Sequence, residues 1–243
     1  MCTAITYTTK DSYFGRNLDL DFSYNETVTI CPRTYPFSFK HKGENKDHYA
    51  MIGMATVVAD YPLYYEAVNE KGLGMAGLNF PENADYKEVA EGKDNLASFE
   101  LIPWFLSQCQ SVADVKKLCQ NLNVTNEAFS ADFQPSPLHW LIADRNEAIV
   151  LESVASRLKV YDNPTGVLTN NPTFDKQLFN LNNYRHISPK VSDNLFSTEI
   201  ALDTYSRGMG GLGLPGDLSS MSRYVKVAFT KLNSVAEDTE ASS

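Results

Sequence analysis

The sequence predicts an α+β fold in which mostly antiparallel sheets are layered against helices. Much of the chain alternates apolar and polar residues with a period of two, which is typical of strands. Helical segments interrupt the run of strands in two blocks instead of following every strand, and this order favours antiparallel sheets. Neither a linker nor a shift in composition divides the 243 residues. We therefore expect one domain over residues 1–243.

The predicted strands are runs of four to nine residues, bounded in most cases by turn-forming residues. In chain order they are Thr3–Thr9, Tyr13–Asp21, Thr27–Cys31, Met51–Val58, Tyr64–Val68, Gly74–Asn79, Leu138–Ile142, Ala148–Ser153 and Gly166–Thr169. Residues 70–72 and 144–146 are of types that tolerate turn dihedrals, so each is predicted to close a hairpin.

Helices are predicted in two blocks. The first contains an apolar helix over Phe99–Leu106 and a second helix that begins at Ser111-Val-Ala-Asp114, a segment resembling a capping box. The second block runs from about Ser219 to Leu232, and its apolar residues recur at helical spacing. That stripe consists of Met221, Tyr224, Val225, Ala228, Phe229 and Leu232.

The charge and hydropathy of the chain limit its partners. Lys and Arg number 21 against 30 Asp and Glu, and the net charge of −9 excludes nucleic acid or an anionic membrane surface as partner. No apolar run approaches the roughly 20 residues needed to cross a bilayer, so membrane insertion is not expected. The first residues lack the basic, apolar and small-residue regions of a signal peptide. We expect a cytoplasmic protein with reduced thiols.

No metal or other cofactor is expected. The histidines and cysteines never fall at zinc-ligand spacing. Residues 208–213 match G-x-G-x-x-G, but Pro215 follows them and no buried strand precedes them, so we interpret them as a loop. His139 alternates with apolar neighbours, and this pattern favours a core histidine over a catalytic base.

Cys2 is the candidate nucleophile. Once Met1 is removed, its thiol and a free α-amine belong to one residue, and the amine, with a pKa of about 8, can accept the thiol proton. Position 2 alone does not distinguish this role from an accidental Met-Cys start. Cys31, Cys109 and Cys119 lie at a strand end or in apolar helical segments, and we expect them to be inert packing residues.

Five ordered motifs accompany Cys2. They are M-C-T at the start, F-G-R-N-L-D at 14–19, N-E-K-G-L-G-M-A-G-L-N-F at 69–80, L-T-N-N-P-T-F at 168–174 and G-L-P-G-D-L-S-S-M-S-R at 213–223. With them the chain resembles, over essentially its whole length, the choloylglycine hydrolases, which include bile salt hydrolases and penicillin V acylases. The resemblance implies an N-terminal-nucleophile amidase with a four-layer αββα sandwich.

The resemblance also assigns roles around the thiol. It implies that Cys2 is the nucleophile, that Arg16 is a cation beside the thiolate, and that Asp19 holds and polarises the α-amine. Residues three apart point to opposite faces of a regular strand. For Arg16 and Asp19 to reach one site, the strand must therefore bulge or end near Leu18.

Two asparagines and a second arginine complete the implied site. Asn79 and Asn170 are expected to frame the oxyanion and the amine. Spacing cannot choose between Asn170 and its neighbour Asn171, and the resemblance favours Asn170. Arg223 is expected to complete the charged shell. It lies off the apolar stripe in the first turn of its helix, where the helix dipole disfavours a cation by about 0.3–1 kcal/mol.

The expected reaction is hydrolysis of the amide bond in glycine- or taurine-conjugated bile salts through a thioester on Cys2. Asn79 favours this substrate, since penicillin V acylases commonly carry Tyr at the matching position. No preference between glycine and taurine is predicted. A penicillin V acylase and a non-catalytic carrier of amphipathic anions are the alternatives. The candidate pocket-wall residues are Leu20, Tyr24, Tyr65 and Phe133.

The resemblance has two further implications. It implies a homo-oligomer, a tetramer in the family. It also implies that relatives continue beyond the tail at residues 236–243, so we expect the chain to lack the C-terminal strands of the family's sandwich.

Overall fold

A computed structural model of the chain describes residues 1–235. Its strands are β1 (Thr3–Thr8), β2 (Ser12–Asn17), β3 (Thr27–Cys31), β4 (Phe37–Phe39), β5 (Gly43–Asn45), β6 (Met51–Val58), β7 (Tyr61–Asn69), β8 (Gly74–Asn79), β9 (Asp94–Ala97), β10 (Leu122–Thr125), β11 (Leu138–Ala143), β12 (Ala148–Val154), β13 (Arg157–Asp162) and β14 (Val167–Leu168). Its α-helices are α1 (Leu101–Gln108), α2 (Val112–Cys119), α3 (Phe174–Asn180) and α4 (Ser220–Asn233). Short 3₁₀ turns cover Ser98–Glu100, Leu181–Tyr184 and Met209–Gly211.

Two antiparallel sheets form the centre of the fold. The large sheet has seven strands in the order β13-β12-β11-β8-β7-β6-β3, and the small sheet has the order β14-β1-β2. Both predicted hairpins occur, because β7 pairs with β8 and β11 pairs with β12. Outside these sheets, β4 pairs antiparallel with β5, and β9 pairs parallel with β10.

The core lies on both faces of the large sheet. Along β11, Trp140 and Ile142 join a cluster that includes buried residues of α1 and α2. Leu141, between them, points the other way and joins a cluster with Ala4 and Leu168 of the small sheet. Because successive side chains alternate between faces, central strands buried on both faces read as continuous apolar runs.

Helices α3 and α4 complete the layers on the outer side of the small sheet. Phe174 and Tyr224 belong to the same cluster as the small sheet, with their ring centroids 6.2 Å apart. The order of layers is therefore α1 and α2, large sheet, small sheet, α3 and α4. This is the predicted αββα sandwich.

Most of the predicted elements are confirmed, and three kinds of difference have physical causes. Strand β2 ends at Asn17 and not at Asp21, as convergence of Arg16 and Asp19 requires. Leu232, assigned to the apolar stripe of α4, is 58% exposed near the end of that helix. Five strands and one helix were not predicted, because they are short or, in β13, largely exposed with mixed charge. They are β4, β5, β9, β10, β13 and α3.

The predicted cap at Ser111 is confirmed, and Ser219, where the second helical block is predicted to begin, is also a cap. Ser111 precedes α2, and its side chain accepts a hydrogen bond from the backbone N–H of Asp114. Ser219 does the same at the start of α4 for Ser222. Such caps fix where a helix begins, because they satisfy N–H groups that lack a partner within the helix.

Two further observations concern the C-terminal tail and the length of the helices. The tail at 236–243, named in the sequence analysis, lies outside the described residues. No helix within residues 1–235 is long and apolar enough to cross a membrane.

Asn69 joins the end of β7 to the end of α1 and offers a test of the packing. Its buried amide donates to the carbonyl oxygens of Leu106 and Cys109, each at 2.9 Å, and accepts from the N–H of Leu73 at 3.0 Å. We expect Asn69→Ala to lower the free energy of unfolding by about 2–3 kcal/mol, because buried polar groups lose their partner. Urea unfolding measures the change.

The matched control is Asn126→Ala, whose exposed side chain donates to Glu88. It should change the free energy of unfolding by less than about 0.5 kcal/mol. Equal effects of the two substitutions would contradict the role of Asn69.

Candidate active site

The Cys2 thiol lies at the start of β1 and is 5% exposed. Strand β2 pairs antiparallel with β1, and Arg16 stands opposite Ala4. Because residues two apart share a face, Arg16 lies on the same face as Cys2. Its Nη2 donates to the Cys2 Sγ at 2.8 Å. This contact places a positive charge directly beside the sulfur.

Arg16 is itself held by the large sheet. Its side chain is 3% exposed, and Nη1 donates to the carbonyl oxygen of Gly77 at 2.8 Å and to that of Tyr65 at 3.4 Å. The Glu66 carboxylate lies 3.4 Å from the same nitrogen. Burial raises the pKa of Glu66, and the neighbouring guanidinium opposes that rise. The cation is therefore paired on one side and directed at sulfur on the other.

Asp19 lies beyond the end of β2, where the alternation of a strand no longer fixes its direction. Its Oδ2 accepts from the Met1 ammonium at 2.6 Å, and this contact lowers the pKa of Asp19. With Met1 attached, the Cys2 nitrogen is an amide, and it donates to Asn170 Oδ1 at 2.9 Å. Asp19 thus contacts the amine of Met1, whereas the sequence analysis predicts a contact with the α-amine of Cys2.

Asn170 connects the parts of the site. Besides accepting from the Cys2 N–H, its Oδ1 accepts from Arg223 Nη2 at 2.7 Å. Its Nδ2 donates to the backbone oxygen of Asn79 at 2.8 Å. Asn171 instead donates from Nδ2 to the Pro81 oxygen at 2.9 Å. Of the two neighbours, Asn170 is the one that contacts Cys2.

Asn79 and Arg223 both contact Asn170, Asn79 through its backbone oxygen and Arg223 through its guanidinium. Asn79 is the last residue of β8, and its side chain is exposed at the edge of the site. Arg223 reaches back from the first turn of α4 and donates from Nη1 to the Cys2 carbonyl oxygen at 2.5 Å and to the Thr3 hydroxyl at 2.6 Å. Burial lowers the pKa of Arg223. Its guanidinium holds the backbone of Cys2, whereas that of Arg16 faces the thiol.

Two of the candidate wall residues, Tyr24 and Tyr65, are connected to Arg16 by hydrogen bonds. The Thr56 hydroxyl lies 2.9 Å from the Tyr65 hydroxyl and donates to the Tyr24 carbonyl oxygen at 3.1 Å. The other two lie apart from that link. Leu20 is half-buried beside Asp19, and the Phe133 ring packs edge-on to Phe129 with centroids 6.3 Å apart.

Two residues at the site were not predicted. Asn17 brackets Cys2, since its Oδ1 accepts from the Thr3 N–H at 2.7 Å and its Nδ2 donates to the Met1 oxygen at 3.1 Å. Its position inside F-G-R-N-L-D was the available signal. Glu66 could have been noticed as the single acidic residue in the otherwise apolar β7.

The remaining thiols differ from Cys2 in their surroundings. Burial raises the pKa of Cys31, and it raises that of Cys109 and of Cys119 to about 12 in each case. All three belong to the cluster between the large sheet and α1 and α2. They are the inert packing residues that the sequence predicts. His139 is fully buried and hydrogen-bonded, as predicted for a core histidine.

Within residues 1–235, no group of three or more His, Cys, Asp or Glu side chains is positioned to hold a metal ion.

A buried thiol at the chain's second residue, on the small sheet of an αββα sandwich, defines an N-terminal-nucleophile hydrolase. The family described as "Linear amide C-N hydrolases, choloylglycine hydrolase family" matches residues 2–243. The chain belongs to this family and is an amidase.

Several relatives are similar over nearly the whole chain. It is 62% identical to a bile salt hydrolase/transferase of Lactiplantibacillus plantarum, with the match covering 100% of this chain and 75% of that protein. It is 38% identical to a bile salt hydrolase/transferase of Clostridium perfringens, covering 99% of this chain and 75% of the relative.

Solved structures agree with this assignment. A mutant conjugated bile acid hydrolase from Clostridium perfringens superposes with a TM-score of 0.88 at 38% identity, over 95% of this chain and 72% of that one. A penicillin V acylase from Agrobacterium tumefaciens has a TM-score of 0.74 at 20% identity, over 99% of this chain and 68% of that one, and shares the fold.

The contact between Arg16 and Cys2 predicts how the thiol reacts. We expect Arg16→Leu to slow alkylation of Cys2 by iodoacetamide at pH 7 by about tenfold or more, because the thiolate loses its neighbouring cation. Peptide mass spectrometry at timed intervals measures the rate at each cysteine.

Arg33→Leu is the control, since Arg33 is exposed and paired with Glu70. It should leave the alkylation rate of Cys2 unchanged, and Cys109 and Cys119 should stay unmodified in every protein. An unchanged rate in Arg16→Leu would show that the guanidinium does not activate the thiol.

Proposed function

We propose that the chain hydrolyses the amide bond of bile salts conjugated to glycine or taurine, through a thioester on Cys2. The observation that carries the proposal is the placement of the Cys2 thiol 2.8 Å from Arg16 in a chain 62% identical to a bile salt hydrolase/transferase. The identity of Asn79, where penicillin V acylases commonly carry Tyr, supports the same substrate.

The reaction proceeds in two halves. The Cys2 thiolate attacks the amide carbonyl carbon, and the resulting tetrahedral oxyanion collapses as the C–N bond breaks. The leaving amine takes a proton from the α-ammonium of Cys2, and the acyl group remains as a thioester. The α-amine then accepts a proton from water, whose oxygen attacks the thioester carbonyl carbon. The C–S bond breaks, which releases the free bile acid and restores the Cys2 thiolate beside its α-ammonium.

Each neighbouring residue has a distinct role in this scheme. Arg16 stabilises the thiolate, and the exposed amide of Asn79 donates to the oxyanion. Asn170 Oδ1, which accepts from the Cys2 nitrogen, orients the α-amine, and Arg223 holds Asn170 and the Cys2 backbone together. After removal of Met1, Asp19 accepts from the new ammonium group.

The steroid body binds against aromatic and apolar side chains. Tyr24 is 42% exposed and packs against the exposed Phe22 with ring centroids 4.7 Å apart. Through Thr56 it is linked to Tyr65, whose backbone contacts Arg16. A ligand of this kind needs a broad apolar surface. The proposed wall also includes Leu20, next to Asp19, and Phe133, which packs against Phe129 apart from the Tyr24–Tyr65 link.

Acyl transfer to an amine is a second candidate activity. The relatives of Lactiplantibacillus plantarum and Clostridium perfringens carry the name hydrolase/transferase. A thioester can be opened by an amine as well as by water, with the same α-amine accepting the proton. The same thioester would therefore support both reactions.

We further propose a homotetramer in the cytoplasm. Large apolar side chains are exposed in the segment 189–219, which contains no helix or strand longer than three residues, and such surfaces mark association sites. They include Leu195, Phe196, Tyr205 and Leu218. A reactive thiol and three buried unpaired cysteines suit a reducing compartment.

Release of amino acid from conjugates tests the proposal. Wild type should release glycine or taurine, and Cys2→Ala should lower kcat by about 10⁴-fold or more, because no other group can form the thioester. Quantification of free amino acid gives the rate, and 6-aminopenicillanate released from penicillin V gives the competing activity.

Cys31→Ala is the control and should retain wild-type turnover, since Cys31 packs in the core away from Arg16. Turnover that survives Cys2→Ala would contradict the mechanism. Binding of conjugates by wild type without hydrolysis would indicate the carrier, and preferential cleavage of penicillin V would indicate the acylase.

Removal of Met1 is a separate requirement. Protein that retains Met1 should be inactive, because its Cys2 nitrogen is an amide and Met1 occupies Asp19. Intact mass and turnover measured on the same sample, before and after treatment with a methionine aminopeptidase, give the correlation. Full turnover by protein bearing Met1 would refute the role of the α-amine.

A further inference from the structure

We propose that His139, held by Glu152, is a positioning residue that fixes Asn79 and Asn170 relative to each other. The inference rests on the proposed function, because it predicts that kcat for amide hydrolysis depends on His139, which does not itself contact Cys2. The argument follows two backbone segments, the end of β8 with Phe80 and the segment 169–174, which meet at the His139 ring.

The first contact is with the end of β8. His139 lies on β11, where it pairs with Leu78, and its neighbour Leu138 pairs with Asn79. Its fully buried ring stacks on Phe80, with centroids 4.1 Å apart and an interplanar angle of 9°. Because Phe80 directly follows Asn79, the stacked ring supports the backbone from which the Asn79 side chain projects.

The second contact is with the segment 169–174. His139 Nε2 lies 2.8 Å from the carbonyl oxygen of Thr169, the residue before Asn170. A carbonyl can only accept, so this nitrogen carries the proton. Glu152 Oε1 lies 3.1 Å from His139 Nδ1 and accepts from the Phe174 N–H at 2.9 Å. The His139–Glu152 pair therefore binds both ends of the segment that contains Asn170.

The two supported segments meet at one hydrogen bond of the site. Asn170 Nδ2 donates to the Asn79 backbone oxygen at 2.8 Å, and Asn170 Oδ1 faces the Cys2 nitrogen. A shift of either segment changes the distance between the Asn170 side chain, which orients the amine, and the Asn79 side chain, which donates to the oxyanion. One imidazole ring thus sets a distance on which both halves of the reaction depend.

Stability alone does not account for this pair. Replacing a whole buried ionisable pair by apolar side chains of similar size is often neutral or stabilising, whereas removing one partner alone leaves the other unpaired and destabilises the fold. Glu152 also has an oxygen, Oε2, that is buried with no hydrogen-bond partner within the described part of the chain. The segment has other anchors, since Gln177 Nε2 donates to the carbonyl oxygens of Asn170 and Pro172. A variant without the imidazole is therefore expected to fold.

The test compares two substitutions of similar size. His139→Met fills the space but cannot donate to Thr169, whereas His139→Gln retains an amide donor. We expect kcat for release of glycine or taurine to fall about 30-fold or more in His139→Met, because small misplacements of site groups have effects of this size. His139→Gln should recover most of that loss. Alkylation of Cys2 by iodoacetamide, which depends on Arg16, should change less than about twofold.

His48 provides the matched control. It is also a buried histidine, with Nδ1 at 2.8 Å from the Tyr49 oxygen, Nε2 at 2.7 Å from the Tyr35 oxygen and its ring 5.0 Å from that of Phe37. His48→Met removes equivalent contacts in the other core cluster. It should lower the urea midpoint of unfolding as His139→Met does, while kcat stays within about threefold of wild type.

Hydrogen exchange gives a readout that needs no turnover. In His139→Met, amides in the segment 169–174 should exchange at least about tenfold faster than in wild type, because the segment loses an anchor. His48→Met should leave that segment unchanged. Release of no amino acid by wild type would refute the proposed function. Hydrogen exchange would still test the role of His139 in that case, because it does not depend on turnover.

Three results would overturn the inference. One is a kcat in His139→Met within about threefold of wild type. Another is a parallel fall of kcat and of the alkylation rate, which would indicate general loss of folded protein. The third is unchanged exchange in the segment 169–174.

Discussion

The pairing of β1 with strands on both of its sides is the interaction on which the rest of the site depends. Ala4 pairs with Leu168 of β14 on one side and with Arg16 of β2 on the other. The first residues of most chains are poorly ordered unless a sheet holds them. Here the thiol belongs to the second residue, and the strand that directly follows it is held by neighbouring strands on both sides. Arg223 adds a third attachment through the Cys2 oxygen.

The two arginines contact different parts of Cys2, Arg16 the sulfur and Arg223 the backbone oxygen. Arg16 comes from the neighbouring strand and directs its free edge at sulfur, with the Glu66 carboxylate and the Gly77 carbonyl oxygen behind it. Arg223 comes from a helix and donates to oxygens of the backbone and side chains around Cys2. One cation therefore faces the Cys2 sulfur, and the other holds the Cys2 backbone. Arg16 is the one whose loss should change the chemistry of the thiol.

The sequence predicts the strands at 27–31, 51–58 and 74–79 with their observed bounds, because alternating apolar runs end there at turns. It misses α3, which is seven residues long and whose first N–H is held by Glu152, a residue more than 20 positions away. The motifs indicate which residues surround Cys2. They cannot indicate Glu66, whose contact with Arg16 depends on how the small sheet packs on the large one.

The position of the proposed wall residues has an evolutionary consequence. Three of the four wall residues lie in connections, Leu20 and Tyr24 in 18–26 and Phe133 in 126–137, and the fourth, Tyr65, lies on β7. Most polar groups around Cys2 come from strands, from residues next to strand ends and from α4, although Asp19 shares the connection 18–26. Connections at the surface accept substitutions and insertions more readily than the elements they join. Enzymes with this architecture can therefore diverge in the acyl group they accept while the amide-cleaving apparatus stays in place. Substrate range and reaction type are free to evolve at different rates.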